Sequence, residues 1–343
     1  MKRFSSILLY ITIALLLLWQ LPWCYNFFAV KPDKTGFTLY SSVIGDFAII
    51  GQKDGNGIVR YDASGHEYSQ AQFDSILPLF YYRQLMTDER FPDTLNGVAV
   101  TPRMAQLSNI VFRSVPSDIN APHIGLYPLL ESMSGRVDLE MPGDVFRITR
   151  KRIEFIDMES NSVEIKKSRL FTEMLLKKGF HFPAVEIAGN PTTRKDYDEG
   201  YVLLDAEHHL FHLKQVKGRP YVRAVELSQN LQLKHLFITE FRNRKTLALM
   251  TDVDNRLYVL TPAYEVIKVD IPSFNPETDY MTILGNMFDW TVRITTAQAE
   301  NYYAVNANDY SLIRSLKREF DNKYIPGLSF TSYKDKYVMP RFE

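Results

Sequence analysis

The chain has 343 residues, and 40 Lys plus Arg balance 40 Asp plus Glu, so no global field draws in nucleic acid or anionic lipid. With 22 Phe and 20 Tyr, the composition favours strands over helical arrays. Cys24 is the only cysteine, which excludes intrachain disulfides and any chemistry that needs paired thiols.

Phe4 to Val30 carries no charge. Its first 18 residues, Phe4 to Leu21, form as a helix about 27 Å of apolar rod, close to a hydrocarbon core of roughly 30 Å. A cleaved signal has a shorter apolar stretch followed by a small-x-small site. Pro22, Trp23, Cys24, Tyr25, Phe27 and Phe28 are too bulky for that, and Leu21-Pro22-Trp23 lacks the small residues that precede a lipidated cysteine. The expectation is an uncleaved single-pass anchor over residues 1–30, with Phe4, Leu8, Leu15, Leu18, Trp19 and Leu21 in the span. Trp19, Trp23 and Tyr25 suit a membrane interface. Lys2 and Arg3 outweigh the more distant Lys31 and Lys34, so the N-terminus is expected on the cytoplasmic side of a bacterial inner membrane. Residues 31–343 then form one periplasmic body.

That body reads as repeated hairpins. "GNGIVRYDASGHEY" (Gly55–Tyr68) is the first weak strand–turn–strand unit. "QFDSILPLFYYRQLM" follows with Phe73, Ile76, Leu77, Phe80, Tyr81 and Leu85 at helical spacing, and Pro78 should kink or reset that helix. "NIVFRS" (Asn109–Ser114) and "DVFRITRKRIEFIDMESNSVEI" (Asp144–Ile165) are further echoes. "SRLFTEMLLKKG" predicts a helix capped by Ser168 and stopped by Gly179. "HFPAVEIA", "GYVLLDAE", "HLFHLKQV" and "PYVRAVEL" are four strand-length runs, and Leu233 to Ile271 holds four more. Phe211 and Tyr258 correspond at a displacement of 47 residues, as do Asp205 and Asp252. "NPETDYMTILG" (Asn275–Gly285) predicts a helix with Asn275 as cap, and "NYYAVNANDYSLIRSL" (Asn301–Leu316) is a last hairpin. A period near 40–50 residues with four strands per unit indicates an irregular β-propeller-like domain of six or so blades with a few appended helices. A pair of β-sandwiches or an open β-domain is the alternative.

Motifs for chemistry are sparse. There is no HExxH, GxSxG or GxxxxGK[ST], and no catalytic, cofactor-binding or metal residue is assigned. In "EHHLFH" (Glu207–His212) a strand would hold His208 and His212 about 13 Å apart and turn His209 to the other face. Only a tight turn through His208 and His209 would change that. On the strand reading the body folds without metal, and His208, His209 and His212 tolerate Ala. "DVDN" (Asp252–Asn255) and "KDGNG" (Lys53–Gly57) resemble pieces of calcium loops but lack the remaining ligands, and Asp and Asn favour tight turns anyway. "DYDEG" (Asp196–Gly200) reads as a solvated loop, as do the basic tips Arg150–Arg152 and Arg242–Lys245.

Three stretches carry a family resemblance: "YSQAQFDSILPLFYYRQLMTDERFPDTLNGV", "IGLYPLLESMSGRVDLEMPGDVFRI" and "GNPTTRKDYDEGYVLLDAEHHLFHLKQVKGRPYV". The chain resembles an uncharacterised bacterial family of single-anchor, β-rich extracytoplasmic proteins that often accompany ABC-transporter components. The resemblance implies an anchored accessory or binding protein with a transporter or envelope partner, and it carries no site residues. A glycan-active hydrolase or lyase on a propeller scaffold is the rival, separable by whether paired carboxylates converge. Deleting residues 72–92 is expected to weaken partner association more than exchanging residues 4–21 for an unrelated anchor.

Overall fold

The computed structural model describes residues 2–30, 36–53, 57–133, 135, 137–320, 324–332 and 335–342. Lys31, Lys34 and residues 54–56 of the "KDGNG" stretch lie outside them. The fold is mainly β, an irregular propeller-like arrangement of antiparallel meanders preceded by one apolar helix. Two compact units divide the chain: residues 1–121, 275–304 and 313–343, and residues 122–274 with 305–312.

The first unit begins with helix α1 (Lys2–Ala29) and the three-stranded sheet β1 (Phe37–Ser41), β2 (Asp46–Lys53), β3 (Gly57–Asp62). The predicted helix around Pro78 is two: α2 (Gln70–Ile76) and α3 (Tyr82–Thr87). Ser69 and Gln72 close a reciprocal capping box on α2, and the chain breaks through Pro78 because proline offers no N–H to continue the ladder. Phe73, Ile76 and Leu77 pack with Leu39 and Ala48 of the sheet. Phe73, Ile76 and Leu77 therefore supply core, so deleting residues 72–92 removes a packing layer, while Phe80 and Met86 of the same segment stay exposed. Next come the short pair β4 (Thr94–Leu95) and β5 (Val98–Ala99), α4 (Pro102–Ser108), β6 (Ile110–Ser114) and α5 (Pro116–Ile119).

The second unit is three meanders joined by a helix. Strands β7 (Asp144–Ile148), β8 (Ile153–Asp157) and β9 (Ser162–Val163) form the first, and α6 (Ile165–Lys177) follows. Ser168 lies inside α6 rather than at its start; its buried Oγ accepts the Phe155 N–H at 2.9 Å, so it ties helix to strand. Gly179 ends the helix at φ +85°, as predicted. Strands β10 (Glu186–Gly189), β11 (Tyr201–Leu204), β12 (Leu210–Val216) and β13 (Arg219–Val225) make the second meander. The third is β14 (Leu233–Ile238), β15 (Ala248–Asp252), β16 (Leu257–Leu260) and β17 (Val266–Lys268).

Alternation along β11 explains the stacking. Tyr201 and Leu203 join Phe146, Phe155 and Phe171 in one core, whereas Val202 and Leu204 join Leu236, Met250 and Leu260 in another. The middle strand is thus buried on both faces, which is why its sequence is continuously apolar. Each fully buried Phe contributes about 1.5–3 kcal/mol, and truncating Phe146 to Ala costs about 3–5 kcal/mol.

The chain returns to the first unit with β18 (Tyr280–Gly285), β19 (Asp289–Thr295), β20 (Ala299–Asn306) and β21 (Leu312–Glu319), then the hairpin β22 (Leu328–Thr331) and β23 (Met339–Phe342). The helix predicted over Asn275–Gly285 is a turn followed by strand. Asn275 caps only a single turn, accepting Glu277 N–H on its Oδ1 (3.0 Å), and Met281 and Ile283 then alternate inward with period two. "NIVFRS" founds no sheet of its own: as β6 it pairs with β18, so the described residues hold five sheets of three or more strands rather than six.

One turn recurs. Asp62, Asp205 and Asp252 each accept two backbone N–H groups on one carboxylate oxygen, from residues two and four positions on, at 2.8–3.0 Å. The position three residues on is left-handed in every case: Gly65, His208 and Asn255, at φ +90°, +62° and +60°. The 47-residue echo is this hairpin seen in sequence.

Candidate functional site

Helix α1 is apolar enough to cross a membrane from Arg3 to Ala29, with mean hydropathy 2.0 and none of it buried. Phe4, Leu8, Leu15, Leu18 and Leu21 are exposed along it. Its 28 residues make a rod of about 42 Å, longer than one hydrocarbon core. The surplus end is occupied. Asn26 brackets the Ile325 backbone, donating to its carbonyl (3.0 Å) and accepting its N–H (2.9 Å). Trp19 stands edge-on to Phe330 at 5.4 Å. Gly327 lies so close to Pro22 that a β-carbon there would sit 2.4 Å from the proline ring. Trp19, expected in the span, thus faces the C-terminal segment, beside a cavity of about 1300 Å³ also lined by Trp23, Tyr280 and Gln298.

The carboxylates of "DYDEG" do not form a glycosidase pair, and the loop is solvated only in part: Asp196 is exposed, whereas Asp198 is buried. Lys195 and Asp198 are almost wholly buried; the Lys195 ammonium donates to Asp198 (2.7 Å), Glu240 (2.6 Å) and the Asn190 carbonyl (2.7 Å), using all three protons. Glu199 pairs with Lys214 (2.7 Å) and Asp196 with Arg242 (2.8 Å). Every acid in the motif is bound to a cation. Burial pushes the Glu240 carboxyl upward, opposed by Lys195, so this network holds two meanders in register rather than moving protons.

The histidines separate into three environments. His212 is buried, with Nε2 2.6 Å from the Glu199 carbonyl and Nδ1 2.8 Å from the Tyr264 hydroxyl. A carbonyl only accepts, so Nε2 carries the proton and Nδ1 accepts from Tyr264. Burial lowers its pKa to about 4, which keeps it neutral. At this buried ring Ala is expected to cost more than the strand reading implies, because it removes the donor to the Glu199 carbonyl and one of the two partners of the Tyr264 hydroxyl, which keeps Tyr221 at 3.0 Å. His208 holds the left-handed turn position.

His209 does not lie on the strand, which starts at Leu210. Within the turn it meets His181, from the segment before β10. Phe180, packed on Phe211 and Phe182 at 5.0 and 4.9 Å, fixes that segment, and the Ala206 N–H donates to the His181 carbonyl at 2.9 Å. Asp205, its side chain fully buried, accepts the His181 N–H (2.9 Å) on Oδ2, the oxygen that also sits 3.2 Å from Nδ1 of His181 and 3.4 Å from Nδ1 of His209. Glu207 Oε2 is 3.6 and 3.9 Å from the same two nitrogens. The ligand atoms of His181, Glu207 and His209 all lie within 4.8 Å of one another, and the three side chains are about half exposed. Burial raises the Asp205 pKa, but backbone N–H groups of His181, His209 and Glu207 outweigh it and hold the carboxyl below its usual range. The site pairs two imidazoles with two carboxylates at an open surface. His181 was not legible as a member, since 28 residues separate it from His209.

No curated protein matches the sequence. Among solved structures, the chain is similar to the β-propeller domain of Cps50 (Swd1) from Myceliophteria thermophila, at 11% identity and a TM-score of 0.30, covering 62% of this chain and 61% of that one. It is also similar to the Dos1 propeller (10%, TM-score 0.31, 57% and 54% covered) and to the WD40 domain of SCAP from fission yeast (10%, TM-score 0.31, 88% and 76% covered). The chain therefore spans less than two thirds of the first two, and the propeller-like assignment rests on its own stacked meanders. Residues 37–305 match the family model described as a domain of unknown function, DUF4857, and the chain belongs to that family.

Proposed function

We propose that this protein is a membrane-anchored accessory or binding module, with α1 retained across a bacterial inner membrane and the body on the periplasmic side. The observation that carries this reading is the docking of the far end of α1 through Asn26, Pro22 and Trp19 onto residues 325–330. A leader destined for removal gains nothing from being built into the folded body, whereas a permanent anchor does. The body offers rigid meanders and projecting turns suited to recognition. The acids of "DYDEG" are neutralised in ion pairs rather than poised for hydrolysis, which favours binding over the glycan-active reading. The family resemblance adds an ABC transporter or another envelope complex as the partner.

The test has two arms. The mature protein should keep its N-terminus, stay with membranes through a carbonate wash, and have its body digested only when protease reaches the periplasm. Affinity capture of the full chain from detergent-solubilised membranes should then recover transporter components. Since residues 72–92 include core, the surface is better probed with Phe80→Ser and Met86→Ser, both exposed. Release into the soluble fraction, or digestion only from the cytoplasmic side, defeats the reading.

A further inference from the structure

We propose that His181, Glu207 and His209 bind one divalent transition-metal ion of the zinc type, with the buried Asp205 carboxylate beside both rings as the second negative charge. Two neutral imidazoles and two carboxylates balance a dication. Nitrogen-rich ligation suits zinc, copper or nickel, whereas calcium and magnesium require more oxygens. Ligand atoms about 2.0–2.2 Å from a tetrahedral zinc stand about 3.3–3.6 Å apart. The ring nitrogens already lie 3.6 and 3.9 Å from Glu207 Oε2, so small side-chain rotations complete the site. Three protein ligands leave a coordination position open to water or to a donor from a partner.

The turn itself does not explain the cluster. The Asp62 and Asp252 turns form the same two backbone hydrogen bonds without it. Their other carboxylate oxygen is taken by Tyr68 (2.8 Å) in one, and by Arg256 (2.7 Å) and Tyr258 (3.0 Å) in the other. In the Asp205 turn the position equivalent to those tyrosines is Phe211, which has no hydroxyl, and the position equivalent to Arg256 is His209. His181 reaches the same oxygen from a different segment, and Glu207 stands on the open side of the rings. Three metal-ligating side chains are gathered where the fold asks for none.

The experiment uses the untagged full chain in detergent, stripped with chelator and desalted, then titrated with zinc chloride against a chromophoric zinc chelator. One equivalent should bind, and the cobalt-substituted protein should show visible bands of tetrahedral or five-coordinate cobalt. His181→Ala and His209→Ala should each weaken zinc by at least about tenfold, the scale that losing even an outer-shell partner reaches. Glu207→Gln should weaken it as well, while His208→Ala, which removes a neighbouring histidine from outside the cluster, should leave affinity unchanged. Thermal unfolding without metal shows whether each variant is folded, and a variant that fails is replaced by His181→Gln or His209→Gln. Absence of stoichiometric zinc binding, or binding unaltered in the folded His181→Ala/His209→Ala double variant, overturns the proposal.

Discussion

The turns at Asp205 and Asp252 share a backbone and differ in what surrounds the carboxylate. Both aspartates are fully buried, both order the turn through two N–H groups, and both have lowered pKa values. Around Asp252 the spare oxygen is closed by a guanidinium and a phenol within the same hairpin, so the turn is electrically self-sufficient. Around Asp205 it faces two imidazoles, one from another segment, with a glutamate alongside. One fold unit, repeated, serves as plain structure in one copy and gathers ligand chemistry in another. The difference lies in three side chains, while the backbone is constant.

The largest expected effect comes from emptying the self-sufficient turn. Asp252→Ala leaves two backbone N–H groups and the Tyr258 hydroxyl without their acceptor and should cost about 3–4 kcal/mol by denaturant unfolding of the full chain in detergent. Asp205→Ala frees three backbone N–H groups, of Glu207, His209 and His181, but no guanidinium or phenol, and its ring partners are half exposed to water, so it should cost somewhat less. Equal losses would mean that the surroundings of the carboxylate do not matter.

A third buried aspartate sharpens the point. Asp289 is as deep as the other two, yet its Oδ1 accepts one side-chain bond, from Asn286 (3.1 Å), and its Oδ2 none. Burial therefore wins and raises its pKa to about 7. A carboxyl raised in the folded state binds a proton that the unfolded chain has released, so this group costs stability as pH rises from about 4 through 7. Asp289→Asn should add about 2–3 kcal/mol at pH 8, change little below pH 4, and flatten the pH dependence between. Asp205 and Asp252 run the opposite way: their lowered pKa values stabilise above about pH 4, and that contribution is lost as pH falls. A variant with unchanged pH dependence would show that Asp289 is not buried in solution.

Two smaller changes probe the copies directly. Arg256→His converts the self-sufficient turn toward the other and should lose about 1–2 kcal/mol, the value of a charge-assisted bond to a buried carboxylate. His208→Gly should gain about 0.5–1 kcal/mol by relieving a left-handed residue, more than Asn255→Gly, since Asn adopts that conformation readily. A loss at His208 would mean that its side chain has a role outside the turn.

Meanders at β10–β13 and β14–β17 were legible because strand-length apolar runs alternate with turn residues, and Pro78 marked its helix break by the bond it cannot make. Asn275 was misleading, since the residue that caps a helix also caps a single turn, and only the alternation of Met281 and Ile283 separates the two. The apolar helix, the β class and the recurrent Asp-centred hairpin are readable along the chain, because each depends on neighbours within a few residues. Tertiary structure alone decided that β6 joins the last sheet, that Lys195 bridges two meanders, and that His181 meets His209. Those pairings join segments far apart in the chain, and no local periodicity encodes which buried oxygen a distant side chain will reach.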